Sequence, residues 1–340
     1  MVSLNARSLG LAGAVVAIAI GVAVILARGV FDAGVTPPPT LAPLTIGATQ
    51  GETASLILVA EQRGYFSDAS LDVTIMPQPY GRIAAENLFS GTVDLATFTD
   101  FVFARNSRHH ADLRLLASLV QAYTTHVVAR RDHGITQPDD LRGRRVGVTA
   151  GTSGEFFLAR FLLFHRLPAD AINTVNLTPA AIIKALAAGT IDAAVTWQPH
   201  VHAVRQRLGD EMVTLTESFE TPYYMLLVTT EPWLTGHREE ATRFMRALAR
   251  AQSYIRDNPD ELKRLFKDHM NRDPAYIAAT WDGWRIRLSL SQDVLTALED
   301  QGDWMVENSL MSPAEVPRYL DMIDSDALSA VYPDAITLIQ

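Results

Sequence analysis

Ile46-Gly47-Ala48-Thr49-Gln50-Gly51-Glu52-Thr53 returns 100 residues later as Val146-Gly147-Val148-Thr149-Ala150-Gly151-Thr152-Ser153. Each copy reads as a short apolar strand, a glycine turn and the start of a helix with a buried face. A second pair extends the match: Leu88-Phe89-Ser90-Gly91-Thr92-Val93-Asp94-Leu95-Ala96 recurs 98 residues on as Leu186-Ala187-Ala188-Gly189-Thr190-Ile191-Asp192-Ala193-Ala194. One strand–helix–strand–helix–strand unit is therefore written twice, in the same order. Strands alternating with helices build parallel-rich sheets with helices on both faces. Two such units predict an α/β protein of two lobes, with a ligand cleft between them at the carboxyl ends of the strands.

The periodicities agree. Phe157, Phe161 and Phe164 fall on one face of a helix predicted over 152–166, and Val73 and Ile75 alternate with polar neighbours as in a strand. The stripes Ile83, Leu88, Phe89 and Ile182, Ile183, Leu186 stop at Gly91 and Gly189, where glycine ends a helix. Ala122-Tyr123-Thr124-Thr125-His126-Val127-Val128-Ala129 and Tyr223-Tyr224-Met225-Leu226-Leu227-Val228-Thr229 are extended stretches, each placed where the chain must change lobe. They set lobe 1 at 44–126 and 227–340 and lobe 2 at 127–226. From Glu231 onward the pattern is helical: Phe244, Leu248, Ala251 and Ile255 make one apolar stripe, and Trp281, Trp284 and Leu288 another. This helical tail is expected to pack across lobe 1.

The chain has 340 residues, a formal net charge of -9 and no cysteine. An acidic balance leaves no basic surplus to neutralise phosphates, which argues against nucleic acid as a partner. Without cysteine there are no disulfides, thiolate metal sites or thiol nucleophiles. Residues 1–34 read as a membrane anchor or a signal segment. Residues 9–27 form an uncharged apolar run of 19 residues, about 28 Å as a helix and close to the thickness of a bilayer's hydrocarbon core. Ile25 and Phe31 spoil the small-x-small cleavage sites ending at Ala27 and Ala33, which favours a retained anchor. Either reading exports the rest of the chain, to the periplasm or the outer face of the inner membrane. Residues 35–43, rich in proline, read as a semi-rigid linker.

Four turns could carry chemistry. Gly151-Thr152-Ser153-Gly154-Glu155 opens a helix, where free backbone N–H groups attract anions. Thr152 and Glu155 also fit a capping box, which would use those donors internally. Thr196-Trp197-Gln198-Pro199 ends a strand where the repeat is expected to place Thr97-Phe98-Thr99-Asp100, so an aromatic falls at the cleft edge of each lobe. His109-His110 and His200-x-His202 lack the spacing of a metal site and read as surface histidines. No Gly-x-Ser-x-Gly elbow or other catalytic constellation occurs, so neither enzyme activity, metal nor cofactor is expected.

Ala60-Glu61-Gln62-Arg63-Gly64-Tyr65-Phe66 followed by Leu71-Asp72-Val73 resembles the opening of nitrate/sulfonate/taurine-type solute-binding proteins. Leu141-Arg142-Gly143-Arg144-Arg145-Val146-Gly147-Val148, the Gly151 turn and Trp197-Gln198-Pro199 fall where that family has them. The resemblance spans 44–340. It implies a periplasmic-binding-protein-like fold of type II topology, expected as a monomer, that closes on a small molecule and delivers it to an ABC permease. The ligand is expected to be polar or anionic, with an aromatic or heterocyclic core among the options. It also implies that Gln50, Glu52, Thr53, Phe98, Thr99, Asp100, Tyr123, Gly151, Thr152, Ser153, Trp197, Gln198 and Tyr223 line the cleft. Glu52 and Asp100 add carboxylates where sulfonate binders are neutral, which argues against a simple sulfonate. A related branch binds pyrimidine precursors, and its eukaryotic cousins are enzymes with a cysteine-rich motif that this chain lacks. A retained anchor keeps a second role in view, a tethered sensor reporting to a separate chain.

Overall fold

The computed structural model describes residues 41–216, 219 and 221–339. The anchor or signal segment, and the linker up to its last three residues, lie outside them. Among the described residues no helix is long and apolar enough to cross a membrane.

In chain order the strands are β1 (Ala42–Thr49), β2 (Leu71–Gln78), β3 (Leu95–Thr99), β4 (Leu113–Ala122), β5 (Thr125–Arg130), β6 (Arg145–Val148), β7 (Asn173–Asn176), β8 (Ala193–Trp197), β9 (Met212–Thr214), β10 (Tyr223–Thr230), β11 (Trp284–Ser291) and β12 (Ile336–Thr337). One sheet runs β12-β11-β4-β10-β3-β1-β2 and the other β7-β6-β8-β5-β9. The two copies of the repeat are visible as β2-β1-β3 and β7-β6-β8, each parallel throughout. Both sheets are mixed, because β10 lies antiparallel to β3 and β4, and β5 antiparallel to β8 and β9.

The repeated residues have equivalent jobs. Asp94 accepts the Thr45 N–H at 2.7 Å, and Asp192 accepts the Arg145 N–H at 2.8 Å. Each carboxylate thus ties the head of the third strand of its unit to the first. Asp192 also takes the Arg145 guanidinium, with the His133 ring nitrogen 2.8 Å away. These contacts, Arg145 foremost, hold its carboxyl well below the usual range. Gly147 is favoured by close packing: a Cβ there would sit 2.7 Å from Ile191 Cδ1, so the buried Ile191 side chain would have to shift to admit it.

The chain leaves the seven-stranded sheet after Ala122, enters the other at Thr125 and returns at Tyr223. The expected boundaries at 126/127 and 226/227 therefore cut into β5 and β10. The extended pattern continued through the crossings, so periodicity alone could not locate them. A second difference lies in the tail. Trp284–Ser291 is a strand antiparallel to β4, not a helix. Trp284, Ile286, Leu288 and Leu290 alternate with Arg285, Arg287, Ser289 and Ser291, and this period of two outweighs the i, i+4 match of Trp284 with Leu288. The rest of the tail holds the long amphipathic helix Arg238–Asp257, whose Phe244, Leu248, Ala251 and Ile255 are buried as expected.

The main core surrounds the seven-stranded sheet, and two smaller clusters cover the two faces of the five-stranded one. The helix Ser153–Phe164 contributes Phe157 and Phe161 to the second lobe's core, whereas Phe164 is 57% exposed. Its Phe156 instead joins the first lobe's core, stacked on Phe101 at 5.8 Å and edge-on to Trp304 at 5.5 Å.

Candidate functional site

Between the two sheets lies a cavity of about 230 Å³. Its walls are the turns after β1, β2, β3, β6 and β8, that is, the carboxyl ends of strands in both copies of the repeat. Of the expected site residues, Gln50, Glu52, Thr53, Thr99, Thr152, Ser153, Trp197, Gln198 and Tyr223 border it. Ser153 Oγ reaches Thr99 Oγ1 at 3.2 Å across the lobes.

Phe98, Asp100, Tyr123 and Gly151 are not among the bordering residues. For Phe98 the reason is register. The 98-residue offset equates β3 with β8 end to end, so Thr99, not Phe98, corresponds to Trp197. Pairing Phe98 with Trp197 is a slip of one residue, which turns a strand's side chains to the opposite face. Phe98 and its true equivalent Thr196 are both fully buried. Tyr123 lies beneath the Arg285 guanidinium, 4.6 Å from it, and lines a separate groove with Thr214 and Thr216. Gly151 borders an outer groove.

The Thr152 turn spends most of its donors on itself. Thr152 Oγ1 donates to the Thr149 carbonyl at 2.7 Å and accepts the Gly154 N–H at 3.3 Å, and Glu155 accepts the Gly151 N–H at 2.7 Å. The helix start is capped from within, and Ser153 borders the cavity beside Thr152 with its hydroxyl not spent on the cap.

Asp100 is fully buried at the start of the helix Asp100–Ser107, where its carboxylate accepts the Phe101 N–H at 2.9 Å. Burial pushes this carboxyl up to about 7, against smaller opposing contributions from Gln301 and backbone N–H groups. The sign follows from linkage. Below about pH 4 both the native and the unfolded chain carry the proton. Between about 4 and 7 only the native chain keeps it, so stability falls as pH rises, and above about 7 the cost stays constant. Asp100→Asn cannot titrate. Its Tm relative to wild type should climb across that window and stand at least about 3 °C higher at pH 8 than at pH 5. Thermal melts across pH decide this, and parallel curves would show that Asp100 ionises freely.

Tyr80, His200, Arg272 and Trp284 are among the bordering residues that had not been anticipated. Arg272 donates from Nε to Glu52 Oε1 at 2.7 Å, and Tyr276 donates its hydroxyl to the same oxygen at 2.8 Å. Glu52, 1% exposed, is thus neutralised from the tail. His200 meets Trp197 edge-on at 5.7 Å. Burial first, then the Arg272 charge, push its pKa down to about 4, with Glu52 opposing, so the ring is neutral at pH 7. The reading of His200 as a surface residue is corrected. His202 also has a partner: its Nε2 is 3.1 Å from Asp273 Oδ2, joining the second lobe to the tail. His200 and Tyr80 sit next to strand ends and were within reach of local reasoning, whereas Arg272 and Trp284 arrive through the tail's return. Among the described residues no group of three His, Cys, Asp or Glu side chains is placed to hold a metal.

Comparison with known proteins adds relatives, solved structures and a family. A putative binding protein of Brucella abortus is 20% identical over 210 residues, 61% of this chain, and the match spans only 65% of that relative's length. The putative binding protein YtlA of Bacillus subtilis is 24% identical over 78% of this chain and 81% of its own. Among solved structures, the alkanesulfonate-binding protein SsuA of Xanthomonas axonopodis shares the fold with a TM-score of 0.70 at 21% identity, covering 84% of this chain and 98% of that one. The desulfurization enzyme DSZB shares it at 0.67 and 17% identity, covering 86% and 99%. The family model described as NMT1/THI5 like matches residues 53–262, more than half of the chain, and the chain belongs to that family.

Proposed function

We propose that this chain is the solute-capturing component of an ABC-type importer. It works outside the cytoplasm, binds one small organic molecule between its lobes and hands it to a permease. The observation that carries the reading is the cavity itself, enclosed by turns from both repeats and crossed by the Ser153–Thr99 hydrogen bond. At about 30 Å³ per water, 230 Å³ suits a ligand of roughly eight heavy atoms. Apolar and aromatic surface from Trp197, Tyr80, Trp284, Val102 and Met225 is set beside polar side chains that include Gln50, Thr53, Thr99, Ser153 and Gln198, so the cavity offers both apolar contact and hydrogen-bonding groups to a ligand.

The charge balance also bears on ligand class. The Glu52 charge is offset by Arg272, and Asp100 does not border the cavity and has its pKa pushed up to about 7 by burial. Those two carboxylates therefore no longer weigh against a simple sulfonate. An organic oxyanion such as a sulfonate, the ligand class named for the Xanthomonas protein, is compatible with a neutral, donor-bearing cavity. Mass spectrometry of what co-purifies with the native protein identifies the molecule. Incubation with that molecule should return it unchanged by chromatography. Conversion to a new product would defeat the reading and align the chain with its enzyme neighbours.

A further inference from the structure

Past Tyr80 the lobes enclose a second groove of about 370 Å³. Tyr80 borders both spaces and forms a wall common to the groove and the cavity. The second lobe supplies the turn from Thr149 to Gly151, and the first lobe supplies Arg82 and Arg105. Both arginines lie against Gly151: a Cβ there would be 3.3 Å from Arg82 Cδ and 3.8 Å from Arg105 Nε. Gly151 has φ +74°, so glycine meets both the backbone and the space requirement.

The two cations hold more donors than the protein uses. Arg105 has a side chain 31% exposed, and its closest carboxylate oxygen, Glu155 Oε2, is 3.6 Å away. That distance is too long for a hydrogen bond, and the oxygen already accepts the Gly151 N–H at 2.7 Å. Among the described residues the Arg105 guanidinium makes no hydrogen bond. Arg82 Nε is buried without a partner, while Nη1 contacts Glu86 at 2.9 Å and Nη2 contacts Tyr80 Oη at 3.1 Å. The Arg82–Glu86 pair is about half exposed on both sides and is easily exchanged for another anion. A guanidinium presents its N–H groups as a planar fork that matches carboxylate, sulfonate and phosphate oxygens.

We propose that this groove is an oxyanion subsite, taking the charged end of an elongated ligand whose remainder occupies the cavity behind Tyr80. The inference rests on the cavity being the ligand site. Equilibrium dialysis with radiolabelled sulfate, at constant ionic strength set by sodium chloride, tests it. The wild type should bind about one equivalent saturably. Arg82→Gln/Arg105→Gln, checked for folding by circular dichroism, should bind at least tenfold more weakly. Arg256→Gln, which removes an exposed cation elsewhere, should bind as the wild type does. Wild type that does not retain sulfate overturns the subsite, as does undiminished binding by the double variant. Either failure leaves the importer reading standing if a molecule still co-purifies. Sulfate retained by a protein that yields no co-purifying molecule supports the subsite and counts against the importer reading.

Discussion

Replacing Arg272 by alanine should lower stability by about 3–5 kcal/mol, the usual cost of leaving one member of a buried ion pair behind. Glu52 is 1% exposed and keeps only the Tyr276 hydroxyl once Arg272 is gone. A carboxylate in that position must either stay charged with one neutral donor or take up a proton, and both cost free energy. For a chain of this size the expected fall in Tm is on the order of 10 °C. Glu52→Gln in the same chain removes the orphaned charge, so the double variant should regain much of the loss. The coupling between the two positions should reach at least about 2 kcal/mol. An Arg272→Ala protein that melts within about 2 °C of wild type would show that water, not Arg272, solvates Glu52.

That pair marks where sequence reading stops. The repeat around Gly47 and Gly147 exposed both lobes because its signals are local: a glycine under Ile191, an aspartate tying two strand heads together, a helix stop. The cavity walls from β1, β3, β6 and β8 followed from the rule that strand ends face the cleft. Tyr80 obeys the same rule, since it lies two residues after β2, and was open to the same reasoning. Arg272 is 220 residues from Glu52 and belongs to no copy of the repeat. No periodicity links the two, and only the packing of the tail brings them together. Trp284 was hidden differently. Its spacing to Leu288 fits a helix and its alternation fits a strand, and partnership with β4 decides between them. Asp100 shows a third limit: it opens the helix Asp100–Ser107 and is fully buried away from the cavity that its sequence neighbour Thr99 borders.

The register at β3 and β8 can be tested in solution. Trp197 borders the cavity and packs over the first turn of the helix Ser153–Phe164, its Cζ3 lying 3.7 Å from where a Gly154 Cβ would stand. Truncating an aromatic that excludes water from a bound ligand commonly costs 2 kcal/mol or more. Trp197→Ala should therefore weaken binding of the co-purifying molecule by a factor of about 30 or more. Phe98→Ala should behave in the opposite manner. Phe98 is fully buried among the first lobe's core residues, so its truncation should cost about 3–5 kcal/mol of stability. The fraction that remains folded should bind with nearly wild-type affinity, because Phe98 does not border the cavity. Isothermal titration of both variants, beside thermal melts, separates the two effects. Normal binding with a sharply lowered Tm in Trp197→Ala would make Trp197 a core residue. Weakened binding in a stable Phe98→Ala protein would restore the one-residue slip and place the aromatic wall of the first lobe at Phe98 after all.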